Sequence, residues 1–240
     1  RVYGKDGGKA AWEAGDGLEQ PDLARTLRQI AEQGPDAFYR GPIADLIVAE
    51  MQRGGGLIAK EDLAAYAAQV KAPLRGTFRG YEILCPPPPT GGTVLVEMLN
   101  ILENFDLRAQ GRWSPATIHL MIEAMRLAYF DRACYLADPQ FVRVPEFLVD
   151  KPYARRLAES IDRNRAGSSA ALAGSRQITL ADDEGTSTTH FSVIDESGMA
   201  VANTYTLEYS YGSRVVVPGG GFLLNNEMGD FNWKPGRTDR

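Results

Sequence analysis

The period of the hydrophobic pattern changes along this 240-residue chain, and that change limits the fold more than any other feature. In the first part, apolar residues such as Leu23 and Leu27 recur at helical spacing, whereas from Thr188 onward they alternate as they do in strands. A segment rich in Gly, Ser, Ala, Arg and Asp, about residues 166–187, separates the two parts and has no sustained period. The pattern predicts an α+β fold with a flexible linker between a helix-rich and a strand-rich part.

Capping residues mark the predicted helices. Proline at a first helical position and Ser before Pro are typical helix starts, and glycine is typical of helix ends. The predicted helices begin near Pro21, Pro42, Lys60, Gly91 or Gly92, and Ser114. The last of these helices carries an apolar stripe that we interpret as core, formed by Ile118, Met121, Ile122, Met125, Ala128 and Tyr129.

Two strand regions are predicted. Aromatic and β-branched residues favour one strand from Thr77 to Cys85, and the four prolines of 86–89 favour a turn into the next helix. After the linker, residues 188–195 and 199–207 predict a β-hairpin closed by Glu196-Ser197-Gly198.

Composition and charge exclude several classes of protein. The net charge of −5, with basic residues spread along the chain, argues against a nucleic-acid partner. The sequence has no run of about 18 apolar residues, so it predicts no membrane-spanning helix. Cys85 and Cys134 lack metal-ligand spacing and are interpreted as buried thiols, so we expect no metal and no cofactor. The opening Arg1-Val2 looks like the interior of a longer protein, in which a signal peptide could lie upstream.

The start of the predicted hairpin carries three consecutive hydroxyl residues, Ser187, Thr188 and Thr189. A hydroxyl at the first position of a strand, after an exposed linker, is what an N-terminal-nucleophile enzyme needs, because the freed α-amine then acts as the base for that hydroxyl. From the spacing alone, each of the three is an equal candidate, and ordinary strand-edge hydroxyls remain the simpler interpretation.

Other polar residues give weaker signals. His190 and Ser192 share one face of the strand, but no acidic third residue is evident for a hydrolase triad. The segment 218–222 is interpreted as a tight turn rather than a phosphate loop. Glu227 and Asp230 follow an apolar stretch and could hold a cationic amine, although a solvated loop would look similar.

Several segments resemble gamma-glutamyltransferases, the start of whose small subunit matches Thr188–Val193, Thr204–Leu207, Leu223–Met228, Asp230-Phe231 and Lys234–Gly236. Upstream segments resemble the latter part of that family's large subunit, namely Gly34–Tyr39, Gly55–Ile58, Glu61–Leu63, Pro86–Pro88, Asn100–Glu103, Ala128-Tyr129 with Asp131-Arg132, and Asp138-Pro139 with Phe141-Val142. The resemblance covers nearly the whole chain.

The resemblance implies specific roles. The precursor would cut itself between Ser187 and Thr188, and Thr188 would then be the nucleophile that accepts a γ-glutamyl group. Thr206 matches the threonine that hydrogen-bonds to the nucleophile. Glu227 and Asp230 match the acidic pair that holds the α-amino group of the donor.

The chain also departs from the family pattern. Glu208 stands where relatives usually have an asparagine that contacts the donor amine, and Gly229 replaces a common aspartate. The family's arginine that binds the donor carboxylate is expected before Arg1, and its oxyanion-hole segments after Arg240. We therefore expect the isolated chain to be inactive.

The family's architecture is a four-layer αββα sandwich of N-terminal-nucleophile hydrolases. By this resemblance, residues 1–187 belong to the large subunit and 188–240 to the small subunit of one precursor. Expected substrates are glutathione and related γ-glutamyl compounds, with an amino acid, a peptide or water as acceptor, and the expected location is periplasmic or extracellular. The alternatives are a cephalosporin-acylase-like amidase and a non-processing homologue that binds ligands.

Overall fold

The computed structural model describes residues 3–176, 179–180, 187–230 and 237–238. The helices are α1 (Pro21–Gln33), α2 (Asp36–Tyr39), α3 (Pro42–Gly54), α4 (Lys60–Ala65), α5 (Gly92–Leu102), α6 (Leu107–Gln110), α7 (Pro115–Tyr135), α8 (Lys151–Glu159) and α9 (Ser169–Gly174). The strands are β1 (Leu74–Phe78), β2 (Tyr81–Cys85), β3 (Thr179–Leu180), β4 (Ser187–Ile194), β5 (Ala200–Glu208) and β6 (Arg237–Thr238). Short 3₁₀ helices cover Glu146–Val149 and Glu227–Asp230. This mixture of helices and strands confirms the predicted α+β class.

The helix starts agree with the capping signals. The hydroxyl of Ser114 accepts a hydrogen bond from the Thr117 N–H at the start of α7, over 3.1 Å. Pro21 and Pro42 occupy first helical positions, and α3 ends at Gly55 in the left-handed region, with φ of 72°. The predicted helix boundaries are confirmed to within a few residues.

The strands form two-stranded sheets, with β1–β2 and β4–β5 antiparallel and β3–β6 parallel. The single strand predicted from Thr77 to Cys85 is wrong, because the chain reverses between Phe78 and Tyr81. Arg79 and Gly80 both have positive φ, at 50° and 87°, and form a two-residue hairpin turn. Gly80 was the residue from which the sequence could have predicted this turn.

The chain divides into two compact units, which are described separately. The first comprises Arg1–Ala68 with Asp183–Phe231, and the second comprises Gln69–Asp182 with Asn232–Arg240. The first unit therefore contains α1–α4 together with the hairpin β4–β5.

The core of the first unit joins helices to the segment after β5. Its buried members are Ala37, Ile43, Ile47 and Val217, against which Ile30, Phe38, Leu46, Leu63, Phe222 and Leu224 pack. The buried hydroxyl of Thr26 donates to the carbonyl of Gly220 over 2.8 Å. These contacts fix the chain between β5 and the second 3₁₀ helix against α1 and α3.

The core of the second unit is built mainly from α5, α7 and α8. Its buried residues are Ile101, Leu102, Phe105, Leu120, Ala124, Leu127, Ala154, Ala158 and Ile161. Three polar side chains also lie among these helices. The Tyr153 hydroxyl donates a hydrogen bond to the Asp131 carboxylate over 2.6 Å, and the fully buried Glu97 lies next to Asp131.

The apolar stripe predicted as core on α7 is mostly exposed. Ile118, Ile122, Met125 and Tyr129 keep between 41% and 55% of their surface accessible. The helix instead buries a neighbouring face that contains Leu120, Ala124 and Leu127. The prediction was right for Ala128, which is fully buried, and for Met121, which packs against the core, but wrong for these four residues. The helix is apolar on more than one face, so the period alone does not select the buried one.

Three smaller expectations have a structural outcome. The segment predicted as a linker contains α9, whose first turn is capped by the Ser168 hydroxyl; residues 177–178 and 181–186 of that segment lie outside the described residues. Cys85 is buried, as predicted, but Cys134 is only partly buried. Among the described residues, no helix has both the length and the apolar character needed to cross a membrane.

Candidate functional site

Thr188 lies near the start of β4, directly opposite Thr206 on β5. Residues that face each other in an antiparallel pair point to the same side of the sheet, with Cβ atoms about 4.5–5.5 Å apart. Thr188 is exposed and Thr206 is half-buried. The register therefore brings the two predicted site threonines together.

A β-bulge lies immediately beside this pair. Ser187 pairs with Glu208 while Thr188 pairs with Thr206, so Leu207 is an extra residue on β5. A bulge bends its strand and redirects the neighbouring side chains, and bulges are frequent next to active sites. The bond between Ser187 and Thr188, the predicted cleavage site, coincides with this irregularity, while the Ser187 side chain lies outside the described residues.

The bulge is held by a hydrogen bond to Thr206. The Glu208 N–H donates to the Thr206 hydroxyl, with 2.8 Å between nitrogen and oxygen. A hydroxyl that accepts in this way still carries one hydrogen of its own to donate. This bond restricts the rotation of the Thr206 side chain on the face shared with Thr188.

The acidic residues predicted for amine binding lie in the 3₁₀ helix that follows the core segment. Glu227 begins this helix and is half-buried, and Asp230 ends it. The side chain of Asp230 lies outside the described residues, so only its backbone position is known. We refer to residues 227–230 as the acidic turn.

Asn226 attaches the acidic turn to the end of β5. Its N–H donates to the Leu207 carbonyl over 3.1 Å, and its side-chain oxygen accepts the Tyr209 N–H, also over 3.1 Å. Its carbonyl accepts the Gly229 N–H over 2.8 Å. Asn226 was not predicted as a positioning residue. An asparagine between an apolar stretch and an acidic pair could have indicated one, because asparagine side chains often bond to the backbone in turns.

Glu208 is the residue that brings β5 and the acidic turn into contact. It is 8% exposed, and its backbone is in the left-handed region with φ of 73°. A Cβ placed on Gly229 would lie 2.9 Å from each oxygen of the Glu208 carboxylate. The structure thus brings Thr188, Thr206 and Glu208 together on the hairpin and sets the Glu208 carboxylate against the turn that carries Glu227.

His190 and Ser192 occupy the same hairpin face, as predicted. The ring nitrogens of His190 lie 2.7 Å from the Thr204 hydroxyl and 3.2 Å from the Ser192 hydroxyl. Within the described part of the chain, the hydrogen bonds of His190 go to hydroxyls and not to a carboxylate. The arrangement differs from a Ser-His-acid triad, in which the second ring nitrogen bonds an acid.

The glycine-rich segment after β5 is a turn, as predicted. The N–H groups of Gly220 and Gly221 both donate to the Val217 carbonyl, each over 3.0 Å. Those two amides are thus engaged within the chain. No cluster of three or more His, Cys, Asp or Glu side chains that could hold a metal ion occurs in the described ranges.

The chain is an α+β protein with a threonine near the start of a bulged strand, beside a second threonine and an acidic turn, and its class is that of the N-terminal-nucleophile hydrolases. The model of the Gamma-glutamyltranspeptidase family matches residues 1–240, and the chain belongs to this family.

Individual relatives agree with this assignment. The Glutathione hydrolase proenzyme of Escherichia coli strain K12 is 50% identical over 224 residues, which are 92% of this chain and 38% of the relative. The chain thus spans well under half the length of that relative.

Solved structures support the fold. The crystal structure of Helicobacter pylori gamma-glutamyltranspeptidase has a TM-score of 0.68 and 41% identity, covering 70% of this chain and 49% of that one. The crystal structure of cephalosporin acylase from Bacillus halodurans has a TM-score of 0.78 and 32% identity, covering 94% of this chain and 39% of that one. Both a transpeptidase and an acylase are therefore similar to this chain.

Proposed function

We propose that the complete protein transfers γ-glutamyl groups from glutathione-like donors to water or to an amino acid or peptide, through an ester on Thr188. The observation that carries this proposal is the pairing of Thr188 with Thr206 beside the bulge that sets Glu208 against the acidic turn. Membership of the gamma-glutamyltranspeptidase family and the similarity to a glutathione hydrolase proenzyme support it.

The first step of the proposal is self-cleavage. The Thr188 hydroxyl attacks the carbonyl carbon of Ser187, the C–N bond breaks, and the hydroxyl proton passes to the leaving nitrogen, which becomes the α-amine of Thr188. Water then hydrolyses the ester, which leaves a carboxylate on Ser187 and regenerates the Thr188 hydroxyl. Residues 1–187 and 188–240 would then belong to the large and small subunits of the processed protein.

The second step uses the freed amine. An α-amine titrates at about pH 7.7–8.0, so near neutral pH it can take the proton of the Thr188 hydroxyl as that oxygen attacks the donor carbonyl. The proton then passes to the leaving amine, and the acyl group stays on Thr188 until an acceptor removes it. Thr206, fixed by the Glu208 N–H, would donate its hydroxyl hydrogen toward the Thr188 oxygen.

The acidic groups select the donor in this proposal. Glu208, Glu227 and Asp230 would surround the α-ammonium group of the γ-glutamyl donor, because carboxylates make strong charge-assisted hydrogen bonds to ammonium groups. Periplasmic or extracellular export is proposed on the family resemblance alone.

The test is a burst experiment on the complete protein with γ-glutamyl-p-nitroanilide. We expect a rapid release of nitroaniline equal to the enzyme concentration, and its loss in Thr188→Ala. The matched control is Thr189→Ala, whose side chain points to the other face of β4 and which should keep the burst. An undiminished burst in Thr188→Ala would overturn the role of Thr188.

A second candidate is an acylase that accepts glutaryl groups, favoured by the similarity to cephalosporin acylase over 94% of the chain. The glutaryl group lacks the α-amine that distinguishes the γ-glutamyl group. Competition between γ-glutamyl-p-nitroanilide and glutaryl-p-nitroanilide separates the two functions. Preference for the γ-glutamyl donor supports the main proposal, and preference for the glutaryl donor supports the acylase.

A further inference from the structure

The self-cleavage step has a requirement that the later transfer step does not share. Before the bond to Ser187 breaks, the nitrogen of Thr188 belongs to a peptide bond, whose resonance leaves it no lone pair that can take up a proton. The freed amine that serves the transfer step therefore does not yet exist. Another group must take the proton of the Thr188 hydroxyl as that oxygen attacks the Ser187 carbonyl.

His190 lies beside Thr188 on the same face of β4. Alternate residues of a strand share a face, and two residues span about 6.5–7 Å along the strand. The register pairs His190 with Thr204, directly next to the pair of Thr188 and Thr206. The other side chains of this face in the described hairpin are those of Ser192, Ile194, Ala200 and Ala202. His190 is therefore the only ionisable side chain on this face of the described hairpin.

Two hydroxyl groups hold the His190 ring. Its Nδ1 lies 2.7 Å from the Thr204 hydroxyl oxygen, and its Nε2 lies 3.2 Å from that of Ser192. One nitrogen of a neutral imidazole donates and the other accepts, whereas a hydroxyl does either. The shorter contact is the one to Thr204, which shares its face of β5 with Thr206, so we assign the accepting role to Nδ1.

From this arrangement we infer that His190 is the proton carrier of self-cleavage and acts through the Thr204 hydroxyl. The inference rests on the first step of the proposed function. Diagonal neighbours in an antiparallel pair, as Thr188 and Thr204 are, lie about 7–8 Å apart, so one water molecule can bridge their hydroxyls.

The proton leaves the nucleophile and returns by the same route. As the Thr188 oxygen attacks, its proton passes to the water, a water proton passes to the Thr204 oxygen, and the Thr204 proton passes to Nδ1. The resulting imidazolium sends one proton back along this route to the nitrogen of Thr188 when the C–N bond breaks. The products are an amine, an ester and a neutral ring. The new α-amine then replaces the ring as the base, so His190 serves cleavage and not transfer.

The pH profile of self-cleavage tests the carrier role in the complete precursor, made by cell-free translation and followed by gel electrophoresis. A protonated ring cannot accept, so cleavage of the parent should slow by about tenfold or more between about pH 8 and 5, the interval in which histidine side chains become charged. His190→Gln keeps a donor and an acceptor but does not titrate, so its slower cleavage should vary by less than about 3-fold over that interval.

Carboxyl groups beside this face are the other candidates for a pH effect. Glu208 pairs with Ser187 at the bulge, and the acidic turn beyond β5 carries Glu227 and Asp230. His190→Gln retains all three of these residues. A pH profile like that of the parent in His190→Gln would therefore assign the effect to the carboxyl groups and overturn the inference.

Substitutions of the ring and its partners test the route. General acid–base catalysis contributes about 10²–10⁴-fold, so His190→Gln and Thr204→Val should each slow cleavage by at least about 100-fold at pH 8. Thr204→Ser keeps the relay hydroxyl and should cleave within about 5-fold of the parent. Ser192→Ala is the matched control, because it removes only the other partner of the ring, and it should also stay within about 5-fold.

The processed fraction of each variant separates the carrier role from a structural one. With kcat/KM for γ-glutamyl-p-nitroanilide measured per new Thr188 amino terminus, His190→Gln should lower the cleavage rate at least about 10 times more than it lowers kcat/KM. Equal losses in both would show a structural role and overturn the inference, as would cleavage of His190→Gln at the parent rate. If Thr188→Ala is cut as fast as the parent, the proposed nucleophile fails. If Thr188→Ala stays uncut while His190→Gln cleaves normally, only the proton carrier fails.

Discussion

The N–H of Glu208 donates to the hydroxyl of Thr206 across 2.8 Å, and this bond connects the bulge in β5 to the residue opposite Thr188. The bulge is therefore part of the candidate site as well as a feature of the sheet. It turns Glu208 toward the acidic turn while the same backbone group fixes the Thr206 hydroxyl.

Removal of the Thr206 hydroxyl should slow self-cleavage. Thr206→Val leaves the Glu208 N–H without its acceptor and removes the donor proposed for Thr188, so we expect cleavage to slow by about 10–100-fold. Thr206→Ser keeps the hydroxyl and should cleave within about 5-fold of the parent. Gel electrophoresis of the two products over time measures both rates, and equal rates in the Val and Ser variants would refute the role.

The attachment of the acidic turn by Asn226 can be tested separately. Asn226→Ala removes the acceptor of the exposed Tyr209 N–H and should cost about 0.5–1.5 kcal/mol in the free energy of unfolding. Asn226→Asp keeps an acceptor oxygen and should retain most of that stability. Denaturant unfolding of the complete protein measures the difference, and an Asp variant as unstable as the Ala variant would show that the hydrogen bond is unimportant.

Two glycines of the turn after β5 give a matched pair. Gly219 and Gly221 have nearly the same φ, 74° and 75°, so alanine at either position should cost about 1–2 kcal/mol of backbone strain. A Cβ at Gly221 would also lie 2.4 Å from the Leu23 nitrogen, whereas one at Gly219 would be 3.6 Å from Leu46. Gly221→Ala should therefore destabilise by about 1–3 kcal/mol more than Gly219→Ala. Similar denaturant midpoints for the two variants would contradict the close packing of this turn on α1.

The raised pKa of Glu97 should make the stability of the protein depend on pH. Burial, with a further contribution from hydrogen bonding and repulsion by Asp131, raises the pKa of Glu97 well above its usual range. Because the folded state holds the proton more tightly, this contribution to stability is complete below the unfolded pKa, about 4.3, and is lost as pH rises toward the raised folded pKa. Glu97→Gln cannot lose a proton, so its unfolding free energy should fall less between pH 5 and 8, by up to about 1.4 kcal/mol per pH unit.

Glu103 supplies the control of opposite sign. Its hydrogen bond from Lys151, aided by one from the Arg79 N–H, lowers the pKa of Glu103. That contribution is present above the unfolded pKa and is lost as pH falls through the folded pKa, so Glu103→Gln should lower stability near neutral pH, and its difference from the parent should vanish at acidic pH. Parallel pH profiles for the parent and Glu97→Gln above pH 5 would contradict the shifted pKa of Glu97.

Helix starts and the hairpin could be predicted from the sequence because they depend on local signals. Pro21, Pro42 and Ser114 act within one turn of the chain, and the alternation after Thr188 has a period of two. The exposed face of α7 could not be predicted, because the buried face of a helix that is apolar on several sides depends on which elements pack against it.

The site was predictable only in part. Resemblance to the family predicts Thr188, Thr206, Glu227 and Asp230 as site residues, whereas residue spacing alone left Ser187, Thr188 and Thr189 equivalent. The bulge at Leu207, the contact of Glu208 with Gly229 and the role of Asn226 depend on register and on long-range contacts. A linear pattern does not specify such contacts.

Amino-terminal sequencing of the purified complete protein tests most directly whether the bond before Thr188 is cut to create the nucleophile. We predict two chains, the smaller of which begins Thr188-Thr189-His190. A single uncut chain, or a new amino terminus at Ser187 or Thr189, would contradict the proposed cleavage and with it the role of Thr188.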